Sequence, residues 1–326
     1  MKPAIFVTRK LPPAAMALLE ENFEMECNPH NRVLSREELL SAVAGKEGIL
    51  SLLTDTMDGE VMESAGKSLK MIANYAVGFN NIDVSAATKR KIAVSNTPGV
   101  LTDTTADLAM ALILAVARRI VESDIYARAE KYMGWDPLLF MGSDVHHKTL
   151  GILGFGRVGQ ALAKRAAGFD MNILYHNRNR VDPEIEEEIG ATYVDQEMLL
   201  KTSDYVSIHV PLTPETTGLI DSKALTLMKP SAFVINTARG EIIREAELVK
   251  ALAEKKIAGA GLDVFEHEPK IHPGLLKMDN VVILPHIGSA SMETRTKMGL
   301  MAAENLIARF KDEVPTNCLN PEIFKG

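Results

Sequence analysis

An apolar stretch, Leu150-Gly151-Ile152-Leu153, runs without a break into Gly154-Phe155-Gly156-Arg157-Val158-Gly159, and a helix-compatible stretch follows. The first glycine permits a tight turn, the second lets a bound group come close to the main chain, and the third lets the helix lie flat on its strand. The new helix offers its unpaired N–H groups at the turn, where negative charge is favoured. The glycine spacing alone is a weak signal, but here strand, turn, helix and a second apolar strand come in order. The six residues from Gly154 to Gly159 are therefore expected to cradle the pyrophosphate of a dinucleotide.

The same alternation extends along the chain. Apolar segments near residues 4–7, 48–52, 71–73 and 92–94 read as strands, and a second series reads at 150–153, 171–175, 205–210, 232–236, 259–263 and 281–284. Ser35-Arg36-Glu37-Glu38 and Asp83-Val84-Ser85 open helices with good caps. With 326 residues, more than one core is expected. Asn96-Thr97-Pro98-Gly99 is a strong breaker, and a final helix near residues 291–311 adds no strand, as in a chain returning to its first domain. The expected division is 1–98 with 288–326 as one domain, the substrate domain, and 99–287 as the other, which binds the dinucleotide. The helix expected over 102–119 is apolar on nearly all sides from Leu108, so it belongs in a core or against another subunit.

Composition narrows the function classes. A net charge of -7 disfavours a general nucleic-acid binder, which needs a basic surface. Two cysteines, Cys27 and Cys318, without CxxC spacing, make a disulfide framework or thiolate metal site unexpected and suit a reducing, cytoplasmic compartment. No apolar run approaches a membrane span, and no metal is expected.

The end of the second strand of the glycine unit bears on the kind of dinucleotide. Enzymes that use NAD normally place a carboxylate there for the ribose hydroxyls. This chain has His176-Asn177-Arg178-Asn179-Arg180. With no carboxylate to repel a 2′-phosphate and two guanidinium groups to clasp it, NADP is expected to be preferred over NAD. Asn177 and Asn179 complete the expected contact set.

Hydride transfer to a 2-oxo acid needs a group for the carboxylate, a proton donor for the carbonyl oxygen, and something to favour the donor's protonated form. Arginine, histidine and a carboxylate suit these tasks. Strand ends supply candidates: Arg239 in Asn236-Thr237-Ala238-Arg239-Gly240, Glu268 in Asp263-Val264-Phe265-Glu266-His267-Glu268-Pro269, and His286 in Pro285-His286-Ile287-Gly288-Ser289. Glu266 competes with Glu268, and His209 competes with His286.

With His209-Val210-Pro211-Leu212-Thr213 and the glycine turn, these stretches occur in the order found in the D-isomer-specific 2-hydroxyacid dehydrogenases, which the chain resembles over essentially its whole length. The resemblance implies a Rossmann-type doubly wound parallel α/β domain inserted in a second, flavodoxin-like α/β substrate domain. It also implies that Arg239 binds the substrate carboxylate, that His286 is the proton donor and that Glu268 is its partner. Asp263 and Thr105 would lie near the nicotinamide, with Val210, Pro211, Thr237, Ala238 and Gly288 in the cofactor site. Val77 and Gly78 would give backbone amides to the substrate, and Leu53, with Leu52, an apolar wall.

Within the family the chain is most similar to the glyoxylate and hydroxypyruvate reductases, through Arg178, Arg180 and Gly134-Trp135-Asp136-Pro137-Leu138. In that group the matching tryptophan reaches a neighbouring subunit's active site, so a homodimer with Trp135 in that place is expected. The other reading of Trp135 is a plain interface or core aromatic. Two alternatives remain open at the level of sequence. One is phosphoglycerate dehydrogenase-type activity. The other is a dinucleotide-sensing corepressor, which would be expected to carry longer tails. Val77 in place of a lysine counts against phosphite oxidation, and Ile287-Gly288-Ser289 counts against formate oxidation.

Overall fold

Strands that all run one way must be linked by crossovers, and helices long enough to make them cover both faces of the sheet. The computed structural model, which describes residues 2–325, follows that rule in two units. One comprises the residues up to Leu101 and those from Ser289 onward; the other is Thr102–Gly288. The sequence placed these changeovers at 98/99 and 287/288.

The first unit holds β1 (Ala4–Val7), α1 (Pro13–Asn22), β2 (Glu24–Cys27), α2 (Arg36–Val43), β3 (Gly48–Ser51), α3 (Gly59–Ala65), β4 (Met71–Asn74), α4 (Val84–Lys89) and β5 (Ala93–Ser95). Its parallel sheet has the order β2-β1-β3-β4-β5, the flavodoxin-like arrangement. Helix α2 starts where the sequence placed it: the Ser35 hydroxyl accepts from the Glu38 N–H, and Glu38 returns a bond to the Ser35 N–H at 2.7 Å. Asp83 caps α4 by accepting from the Ala86 N–H.

The second unit begins with α5 (Thr102–Ala117) and α6 (Ile120–Arg128). Then come β6 (Thr149–Leu153), α7 (Arg157–Ala166), β7 (Asn172–His176), α8 (Pro183–Ile189), β8 (Ala191–Tyr193), α9 (Gln196–Thr202), β9 (Tyr205–Ile208), α10 (Ser222–Leu227), β10 (Phe233–Asn236), α11 (Glu245–Ala253), β11 (Gly259–Leu262) and β12 (Val281–Ile283). The order β12-β11-β10-β9-β6-β7-β8 is the Rossmann-type doubly wound sheet with one further strand, and it reverses at β6. Neighbouring residues of β6 enter opposite cores. Ile152 packs with Ile113, Leu162 and Tyr175, while Leu153 packs with Val206, Ile208 and Leu248. A strand buried on both faces reads as a continuous apolar run, as this one does.

Helix α5 settles an open point: it packs on β10, β11, β12 and α7, and Ala109, Leu112, Ile113 and Val116 are core residues of this unit. The closing helix α12 (Met292–Phe310) returns to the first unit, where Ala302, Ala303 and Leu306 pack on Ile5, Val7 and Leu19. Among the described residues no helix is long and apolar enough to cross a membrane.

The glycine turn shows why each glycine is needed. Gly154 has φ +97°, and a Cβ there would lie 2.6 Å from the carbonyl carbon of His209 and the nitrogen of Val210. A Cβ on Gly159 would overlap the Gly154 carbonyl oxygen, whereas a Cβ on Gly156 would meet nothing within 4 Å. The first and third glycines are thus required by the protein itself, and the second borders open space. Gly159→Ala should push α7 off β6 and destabilise the unit by about 1–3 kcal/mol. Urea unfolding measures this, and an unchanged midpoint would show that the turn can widen freely.

Candidate active site

Because the sheet is parallel, every loop that follows a strand emerges on the same side, and open α/β sheets bind ligands there. The loop after β6 carries Gly154 to Gly159. The loops after β7 and β9 carry residues 177–180 and Val210-Pro211. Those after β10, β11 and β12 carry Thr237 to Arg239, Asp263 to Glu268, and His286 to Gly288. The fold thereby gathers at one sheet edge residues that are more than 100 positions apart in sequence.

His286 and Glu268 are paired. The imidazole Nδ1 and Glu268 Oε2 are 2.9 Å apart, and Glu268 Oε1 accepts from the Phe265 N–H at 3.1 Å. Burial pushes the Glu268 carboxyl up, but the hydrogen bond and charge of His286, the Phe265 amide and the Arg239 charge outweigh it and hold the carboxyl below its ordinary value. Glu268 is therefore charged at neutral pH. Its contribution to stability is present above the ordinary carboxylate range and is lost as pH falls through the depressed value.

The rivals are engaged elsewhere. Glu266 accepts from the Glu245 N–H at 3.1 Å and pairs with Arg244 at 3.4 Å. The His209 Nε2 is 2.8 Å from the Ser207 hydroxyl, and burial pulls its pKa down to about 4. It has no proton to give near neutrality.

Arg239 follows β10, and burial lowers its pKa against the opposing charges of Glu268 and Glu241. Its Nη1 donates to the Ala238 carbonyl at 2.7 Å. The turn beneath it is closed by Asn236, whose amide donates to the Arg239 carbonyl at 2.8 Å and accepts from the Ala238 N–H at 3.0 Å. Gly240 lets this turn approach the loop holding Glu268, since a Cβ there would overlap the Phe265 carbonyl.

The residues present fit a dinucleotide. Among the described residues no side chain caps α7, which leaves its first N–H groups to the turn beside Gly156. The Thr237 hydroxyl in the loop after β10 is buried with no partner among the described residues. Asp263 binds the N–H groups of Ile287 and Gly288, and Thr105 Oγ1 donates to the Gly288 carbonyl at 3.1 Å. Phe155 is buried, and its N–H donates to Asn177 Oδ1 at 2.6 Å. Asn177 is thus already used to fix the glycine turn.

Of the two guanidinium groups expected to clasp a 2′-phosphate, that of Arg180 already has a partner. It holds Glu186 through Nε at 2.8 Å and Nη2 at 2.6 Å. Arg178 is exposed and makes no hydrogen bond or ion pair among the described residues, and Asn179 is exposed beside it.

The substrate candidates of the first unit lie in its own strand-end loops. Leu53 follows β3 and is partly exposed. Val77 and Gly78 follow β4, with their carbonyls held by the side-chain amides of Asn96 at 2.8 Å and Asn74 at 2.9 Å. Among the described residues neither uses its own N–H in a hydrogen bond. The Asn81 amide joins this loop to the one after β3, donating to the Leu52 and Asp55 carbonyls. Trp135, in the segment after α6, is 84 % exposed and so is not a core aromatic. Asn74, Asn96, Asn81 and Asn236 were missed as site residues. The available signal was an asparagine ending an apolar strand, as in Met71-Ile72-Ala73-Asn74 and Phe233-Val234-Ile235-Asn236.

The family described as D-isomer specific 2-hydroxyacid dehydrogenase, NAD binding domain, matches residues 110–288. A glyoxylate reductase of Thermococcus litoralis is 53% identical over 99% of this chain and 98% of its own length. Among solved structures, a glyoxylate reductase from Paecilomyes thermophila superposes with a TM-score of 0.86 at 35% identity, covering 98% of this chain and 99% of that one. An NADPH-dependent glyoxylate/hydroxypyruvate reductase from Sinorhizobium meliloti, solved with NADP and malonate, gives 0.86 at 32% identity, covering 99% and 98%.

If His286 delivers the proton, His286→Ala should lower kcat by about 10²–10⁴-fold. Glu268→Gln removes the charged partner of the imidazole and should lower kcat by about tenfold or more. A kcat that stays within about twofold of the unaltered protein's in steady-state assays would break the pairing.

Proposed function

Since the chain belongs to the D-isomer specific 2-hydroxyacid dehydrogenase family, we propose that it reduces glyoxylate and hydroxypyruvate to the corresponding 2-hydroxy acids, with NADPH preferred to NADH. The His286–Glu268 pair, set at the same sheet edge as Arg239 and the glycine turn, is the observation that carries this reading. Dinucleotide binding is assigned to Thr102–Gly288 and a substrate-binding role to the other unit.

When bound, the nicotinamide supplies the hydride. Arg239 holds the substrate carboxylate and polarises the carbonyl, a task for which a half-buried guanidinium suits because it forms paired, charge-assisted hydrogen bonds. With Nδ1 committed to Glu268, His286 gives its Nε2 proton to the carbonyl oxygen. In the other unit, Val77 and Gly78, with N–H groups unused among the described residues, and Leu53 are assigned to substrate binding. Asp263, Thr105, Val210, Pro211, Thr237, Ala238 and Gly288 border the cofactor.

Support for NADPH comes from the end of β7, where Asn177 stands in place of a carboxylate and Arg178 is exposed. A panel of glyoxylate, hydroxypyruvate and 3-phosphohydroxypyruvate against both cofactors should give the highest kcat/KM with glyoxylate or hydroxypyruvate and NADPH. Arg178→Ala should reduce kcat/KM for NADPH about tenfold or more. Equal efficiencies for both cofactors in the unaltered protein would reject the preference.

We further propose a homodimer. Helix α6 and the segment after it expose Val121, Ile125, Tyr132, Met133, Trp135 and Leu138, with Met133 at 92 % and Ile125 at 62 %. Six large apolar side chains exposed within one 18-residue stretch are what an interaction site requires. Phe140 braces the segment, edge-on to Tyr126 at 5.1 Å and beneath the Arg119 guanidinium at 5.0 Å. Trp135 is assigned to the partner's active site. The free Cys27 and Cys318 suit a reducing, cytoplasmic setting. Sedimentation should show a dimer that Ile125→Lys dissociates, and a monomeric unaltered protein would exclude it.

A further inference from the structure

We propose that Glu186 is a positioning residue for cofactor discrimination: through Arg180 and Tyr175 it fixes the turn 177–181 and so aims Arg178 at the 2′-phosphate of NADPH. This rests on the NADPH reading above and adds a residue that makes no contact with the cofactor.

Glu186 sits on α8 and is buried. It accepts from the Tyr175 hydroxyl and takes both Arg180 nitrogens in a two-point bridge. Tyr175 is fully buried on β7, stacks on Phe155 of the glycine turn with ring centres 4.3 Å apart, and its hydroxyl accepts the Val181 N–H at 3.2 Å. At the other end of the turn, Asn177 binds the Phe155 N–H, and the Tyr193 hydroxyl donates to the Asn177 carbonyl at 3.4 Å. The Arg180 guanidinium also lies over the Tyr193 ring at 5.9 Å. The turn is therefore tethered at Asn177, Arg180 and Val181, and Arg178 and Asn179 are the exposed residues between the tethers.

Charge separates a strut from a ligand. Arg180 and Glu186 together are neutral, so the pair offers little attraction to a phosphate, while Arg178 is exposed, hydrogen-bonds to no group among the described residues and has Glu215 as the carboxylate that feels its charge. The bridge to Arg180 and the Tyr175 bond hold the Glu186 carboxyl down at about 2, so the strut stays intact through the working pH range.

Calorimetric binding of adenosine 2′,5′-bisphosphate and of 5′-AMP to the full chain tests the proposal. The unaltered protein should prefer the bisphosphate, and Glu186→Gln should reduce that preference about tenfold or more. Tyr175→Phe, which removes one tether and leaves the bridge, should reduce it less. An unchanged preference overturns the proposal. So does a stronger one, which would mean that the released Arg180 is itself a phosphate ligand. Equal loss of both nucleotides assigns Glu186 a merely structural role and overturns it as well. If the unaltered protein shows no preference, the NADPH reading fails and the proposal with it. If Arg178→Ala abolishes a preference that Glu186→Gln leaves intact, the reading stands and only the proposal fails.

Discussion

Asp263 takes the N–H groups of Ile287 and Gly288 on its two oxygens, each at 2.7 Å, while its carbonyl takes the His286 N–H at 2.9 Å. Hydrogen bonds to a charged group contribute about 1.5–3 kcal/mol each, which offsets much of the penalty for burying a carboxylate. Burial still dominates and pushes the Asp263 carboxyl up against the opposing amides and the His286 charge. The loop it holds has a specific shape: His286 lies in the left-handed region at φ +54°, which non-glycine residues adopt uncommonly. Thr105 on α5 then binds the Gly288 carbonyl, so the ends of β11, β12 and α5 are joined through one carboxylate. The angle at which His286 meets Glu268 depends on that junction.

The sequence was most legible where burial is greatest. Each strand read from the apolar runs begins and ends within two residues of its observed bounds, because a strand covered on both faces must be apolar throughout. Two strands were missed, β2 and β8, and both are at sheet edges. Glu24-Met25-Glu26-Cys27 has exposed glutamates alternating with half-buried residues, and Ala191-Thr192-Tyr193 is too short to carry a period. Strand order is a tertiary property, so local pattern alone cannot say that these segments pair.

The site divides along the same line. The glycine turn could be read because its constraint is local: Gly159 meets the Gly154 carbonyl within the same turn. His286 and Glu268 were found as types at strand ends, and choosing Glu268 over Glu266 needed the family pattern, since both follow β11 within a few residues. Three-dimensional packing now separates them. The bridge from Arg180 went unread for the opposite reason. Its partner Glu186 lies only six residues on, but in a stretch that reads as an exposed acidic helix, and nothing local says that one glutamate of Pro183-Glu184-Ile185-Glu186-Glu187-Glu188 turns inward. The asparagines were passed over because a buried amide closing a turn leaves no periodic trace.

His209 and His286 show how far environment, rather than residue type or position, decides the chemistry. Both follow strands of one parallel sheet and both emerge at its ligand-binding edge. His209 has a hydroxyl beside it and no carboxylate, so burial is unopposed and the ring stays neutral. Its backbone has a further task, because the Gly154 turn passes so close to it that only a glycine fits. His286 has a carboxylate at 2.9 Å that is itself held by a backbone amide and kept charged by the pairing. A carboxylate there occupies Nδ1 and leaves Nε2 for another partner, as the proposed proton donor requires. The proton-donating role proposed for His286 therefore rests on the Asp263–Glu268 loop as much as on the histidine that it serves.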